Sequence, residues 1–96
     1  MSVDMNGSRR FLIEERFNIT GRGTVVVIGE TTELPVGKTL RATITRPDSS
    51  KVTTEAFKEW FIRREQQPLE KEAYLLRGIE KSEIPDGSLV EIEVVK

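Results

Sequence analysis

The stretch Phe17-Asn18-Ile19-Thr20-Gly21-Arg22-Gly23-Thr24-Val25-Val26 sets the expected fold. Before its glycines, Phe11, Ile13, Phe17 and Ile19 occupy odd positions, while Glu14, Arg16, Asn18 and Thr20 occupy even ones. That alternation is the period of a strand with one face against a core. Gly21-Arg22-Gly23 interrupts it, and Thr24 to Ile28 follows as an apolar run. Two strands around a glycine-rich turn is the plain reading. Gly21 and Gly23 permit a turn or bulge that a Cβ would obstruct. Val25 and Val26 suit a strand packed on both sides.

The same grammar continues outward. Leu40, Ala42 and Ile44 share one face, with Arg41, Thr43 and Thr45 on the other. Pro47-Asp48-Ser49-Ser50 carries turn chemistry, and Val52, Thr54 and Ala56 resume the alternation. Residues 54–66 admit two readings. Thr54 can cap a helix with Phe57, Trp60 and Phe61 at helical spacing, or Trp60 and Ile62 can line one face of a strand. Glu72 to Ile79 reads as a strand, Pro85-Asp86-Gly87 as a turn, and Leu89 to Val95 as the last strand. Val, Ile and Thr make up 26 of the 96 residues, which favours pleated surfaces. Six or seven short strands with regular turns imply a small all-β barrel or sandwich.

At 96 residues the chain is one domain, expected over 9–96, with a loose small and polar tail over 1–8. It contains no Cys, which excludes thiolate metal sites, disulfides and cysteine nucleophiles. It contains no His, which removes the commonest general base. Its carboxylates alternate with cations, as in Glu70-Lys71-Glu72, and read as a solvated face. The expectation is therefore a non-enzymatic protein without catalytic residues, metal or cofactor. Val25 to Ile28, the longest uncharged apolar run, is far short of a membrane helix, so no membrane contact is expected. The start MSVDMNGSRR has no apolar segment of a secretory signal, so the expected location is cytoplasmic. No dedicated seam for a partner copy is visible, and a monomer is expected.

The net charge of −1 lacks the basic excess of an electrostatic nucleic-acid binder. Residues 9–64 hold eleven basic and seven acidic side chains, and residues 65–96 hold four and eight. Halves of opposite sign can fold against one another, so this asymmetry does not by itself make a patch.

Phe17 to Val26 is similar to the F-x-I-x-G-R-G-T-V segment that opens the second domain of elongation factor Tu and related translation GTPases. Leu75-Leu76-Arg77-Gly78-Ile79, followed by Ile84-Pro85-Asp86-Gly87, resembles the later L-L-R-G-I…I-x-x-G segment of that domain. Leu34-Pro35-Val36-Gly37 resembles its short G-x-I-x-V-G turn. Order and approximate spacing agree over roughly Arg10 to Val94. The resemblance implies a closed six-stranded antiparallel Greek-key barrel standing alone, without the GTPase domain. Val36-Gly37-Lys38-Thr39 resembles the end of a phosphate-binding loop, but the position five residues before Gly37 is Thr32 where that loop requires glycine, and GTP binding is not expected.

The family barrel contributes to binding the 3′ end of aminoacyl-tRNA. By resemblance, Glu55 in Thr54-Glu55-Ala56-Phe57 takes the place of the family's pocket carboxylate, with Arg22 from G-R-G and Arg77 from L-L-R-G beside it. The plainer reading makes Glu55 an exposed strand carboxylate and gives Arg22 and Arg77 ion pairs that fasten the barrel. Trp60, Phe61 and Tyr74 can stack bases or fill the core. An outward Trp60 or Phe61 instead points to a protein-binding surface. Arg9-Arg10 and Arg63-Arg64 are too short for nucleic-acid tracts. The leading expectation is a module that binds another protein. The alternative is an accessory RNA-binding domain that recognises tRNA ends, with weak affinity.

Overall fold

The computed structural model describes residues 9–30, 32–59 and 71–95. The tail over 1–8, Trp60, Phe61 and the Arg63-Arg64 pair lie outside the described residues. Among those described are six strands, β1 (Arg10–Ile19), β2 (Gly23–Ile28), β3 (Leu40–Thr45), β4 (Lys51–Glu59), β5 (Glu72–Arg77) and β6 (Leu89–Val94), and one 3₁₀ turn at Lys81–Glu83. Every neighbouring pair is antiparallel, and the order β1-β2-β5-β4-β3-β6 closes on itself. Strands β3, β4 and β5 form a meander, and β6 returns beside β3, which is the Greek-key arrangement. The chain is thus the closed barrel that was expected, and the sandwich alternative falls away.

The interior follows from period-2 patterning. Leu40, Ala42 and Ile44 from β3 and Val90 from β6 are fully buried. Tyr74 and Leu76 of β5 point inward with them. Residues 54–59 are strand, so the helical reading fails there. Thr54 caps nothing and donates its hydroxyl to the Arg77 carbonyl at 2.6 Å.

Two expectations need correction. Phe11, Ile13, Phe17 and Ile19 do not share one face. Ile13 lies opposite Ile28, but Glu15 lies opposite Val27, so the register shifts between them. An extra residue in a strand reverses which face each later side chain takes. Phe11 and Ile13 are buried, whereas Phe17 is 49% exposed. Arg16 now lies opposite core residue Val26, and its guanidinium reaches across to the Ile84 carbonyl and, at 2.5 Å, to Asp86.

The second correction concerns Glu72, which is no solvated carboxylate. Its side chain is only 11% exposed and pairs with Lys58 at 3.0 Å. It also accepts hydrogen bonds from the Thr32 N–H (2.8 Å), the Thr32 hydroxyl (2.9 Å) and the Tyr74 hydroxyl (2.7 Å). Lys58 in turn donates to the Leu34 carbonyl at 2.8 Å. This cluster fastens the β2–β3 connection across one end of the barrel.

Candidate binding site on the outer barrel face

At the other end of β5, strand register assembles two rows on the outer surface. In the first, Gly23 faces Arg77, and Arg41 faces both Glu55 and Glu93. Arg77 pairs with Glu55 at 3.2 Å and Arg41 with Glu93 at 3.4 Å, so the charges alternate in sign around the barrel. In the second row, Phe17 faces Val25, Val25 faces Leu75, and Leu75 faces Phe57. The two rows lie two residues apart along each strand, or roughly 6.5 Å. Phe17 is exposed, Val25 and Phe57 are half-buried, and Leu75 is buried.

Arg22 enters from the turn above these rows. Its N–H donates to the Ile19 carbonyl at 3.0 Å, and its carbonyl accepts from the Gly78 N–H at 3.2 Å. Gly21, with φ +79°, and Gly23, with φ +144°, flank it in backbone conformations that L side chains rarely adopt. The turn is therefore fixed on both sides while the Arg22 side chain stays exposed. Together Gly21, Arg22, Phe57, Leu75 and Arg77 line an open hollow of about 380 Å³. A larger hollow of about 620 Å³ lies on the other side of the turn, with Arg22, Glu80 and Lys81 as its charged lining.

The structure thus brings Arg22 and Arg77 to one cavity and sets Glu55 against Arg77. Tyr74, with no exposed surface, belongs to the core. Phe57 and Leu75 were missed as lining residues. Phe57 follows Glu55 by two positions, so period-2 reading of that strand already places both on one face.

Glu55 and Arg77 have side chains 57% and 61% exposed. A pair that open to water contributes little, typically below about 1 kcal/mol. Glu55→Gln is expected to shift unfolding by less than about 1 kcal/mol, and by less still in high salt. Urea titrations at two salt concentrations check this, and a loss above about 2 kcal/mol would make the pair a principal fastening of the barrel. Arg22 has no ion-pair partner among the described residues. Its planar fork suits two parallel hydrogen bonds to a carboxylate or phosphate.

The Val36–Thr39 segment leads directly into strand β3, without the helix that a phosphate-binding loop requires. No helix among the described residues is long and apolar enough to cross a membrane. Comparisons with protein-family models, with curated proteins and with solved structures found no match.

Proposed function

We propose that this protein is a non-enzymatic binding module that engages another protein through the outer face of β2, β5 and β4. The observation that carries this reading is the apolar row Phe17–Val25–Leu75–Phe57 with Arg22 and Arg77 at its rim. Apolar centres with aromatic and arginine side chains are what protein interfaces concentrate. The contribution expected of Trp60 and Phe61 rests on sequence alone. Affinity capture with the whole chain should retain a specific partner, and Arg22→Gln and Phe57→Ser should each lose most of it while keeping a native amide spectrum. Retention of the same partner by both variants would refute the assignment of this face.

A second reading follows from the same place. Of the residues marked by resemblance to the translation-factor barrel, Arg22 and Arg77 line one hollow and Glu55 pairs with Arg77 beside it, which favours recognition of a tRNA end. An amide-resolved titration with a tRNA acceptor-end fragment at low salt tests it. Shifts at these three residues that fade as salt rises, through lost counterion release, would support it. A silent spectrum would remove it.

A further inference from the structure

We propose that the hollow between Arg22 and Arg77 selects an extended acidic–apolar peptide segment, with an apolar side chain and a carboxylate two positions apart. This deepens the protein-binding reading and rests on it. The first support is chemical. Phe57 and Leu75 form an apolar floor, and two guanidinium groups stand at its rim. A ligand that uses both parts needs an apolar group joined to an anion.

Geometry sets the spacing. Leu75 and Arg77 are two residues apart on one face of β5, a separation of roughly 6.5 Å. Side chains at alternate positions of an extended peptide repeat that same distance on one face. An apolar side chain over Leu75 and Phe57 therefore places a carboxylate two positions away at the level of the guanidinium groups. The strands beneath are already paired on both sides with their barrel neighbours. The peptide is accordingly read through its side chains, without adding a strand to the sheet.

Charge distinguishes this ligand from a polyanion. Arg22, Arg77 and Glu55 leave one unit of positive charge at the hollow, which one carboxylate neutralises. A nucleic-acid strand extending along the row towards β3 and β6 would meet Glu55 between Arg77 and Arg41, and then Glu93 beyond Arg41. Alternating signs oppose a chain of phosphates and tolerate a single acid. Arg22 has a free fork for it among the described residues, and Arg77 can share its guanidinium between Glu55 and the ligand.

Selection of a random octapeptide display library on the whole chain tests the proposal, followed by titration of amide-labelled protein with the enriched peptides as synthetic probes. The expected motif is an apolar residue, any residue, then Asp or Glu, or its reverse. Shifts should centre on Arg22, Phe57, Leu75 and Arg77. Affinity should fall at least tenfold when the peptide acid becomes its amide, and likewise for Arg22→Gln. Arg77→Gln provides a second variant on a different element. Peptides that shift this face equally well as acid or amide would overturn the proposal and leave protein binding standing. Absence of any peptide-induced shift on this face would also overturn the proposal, while the protein-binding reading is decided separately by whether Arg22→Gln and Phe57→Ser lose the captured partner.

Discussion

Replacing Gly23 by alanine is expected to destabilise the barrel by about 3 kcal/mol or more. A Cβ at this position would lie 2.0 Å from the Leu76 carbonyl oxygen and 3.1 Å from the Gly78 nitrogen. Both obstacles are backbone, so no side-chain rotation relieves them. The residue also sits at φ +144°, outside the regions that alanine adopts without strain. Relief requires β2 to move away from β5 where Gly23 pairs with Arg77, which breaks ladder hydrogen bonds at the closure of the barrel. Gly21 provides the contrast. Its φ is +79°, but a Cβ there meets nothing within 4 Å, so Gly21→Ala should cost only about 1–2 kcal/mol of backbone strain. Urea unfolding of both variants measures the difference. Equal losses would mean that conformation alone, and not the close approach of β5, explains the G-x-G pattern.

That pair of glycines shows how much of the fold was legible. Turn chemistry at Gly21-Arg22-Gly23 and alternation in β3 and β6 are local properties, and the structure keeps them. Closure is different in kind, because strand order depends on pairings between residues far apart in sequence. It was reached through the resemblance, and alternation by itself left barrel and sandwich open. The β1 bulge was illegible because Phe17 and Ile19 continue the odd-position pattern of Phe11 and Ile13 after the register has shifted. The apolar residues that mislead the period reading are the ones turned outward. Val94 is a milder case. It lies on the core side opposite Leu40, yet it is 47% exposed because the strand ends there at the barrel mouth.

The candidate site was legible in part for the same reason. Arg22, Glu55 and Arg77 were marked by motif resemblance, and the strand register brings them to one end of the barrel. The apolar floor was not marked, since nothing in a list of residues says that Leu75 faces Phe57 across β5 and β4. Glu72 was misread because a carboxylate in the alternating run Glu70-Lys71-Glu72 looks solvated until the partners contributed by the distant Thr32 and Lys58 are known.

Removing that carboxylate is the other large effect expected. Glu72→Ala leaves the Lys58 ammonium, the Thr32 N–H and the Tyr74 hydroxyl facing a gap, which should cost about 3 kcal/mol at neutral pH. Burial by itself raises the Glu72 carboxyl, but hydrogen bonds from the Thr32 N–H, Tyr74, Lys58 and the Thr32 hydroxyl outweigh it and hold the group below its ordinary value of 4.5. Burial, more than the adjacent carboxylate, pushes the Tyr74 phenol above its ordinary 10.0, so at neutral pH it remains a donor. A depressed carboxyl stabilises the fold fully above its unfolded value and loses that contribution as pH falls through the folded one. The gap in unfolding free energy between wild type and Glu72→Ala should therefore be widest near neutrality and narrow in acid below pH 4.5. A gap that is constant with pH would mean that shape, and not charge, holds the β2–β3 connection. Glu72 begins β5 and Arg77 ends it, a separation of roughly 17 Å along the strand. Peptide affinity at the Arg22 hollow should accordingly survive Glu72→Ala wherever the variant remains folded, which separates the residues that hold the barrel from those that use it.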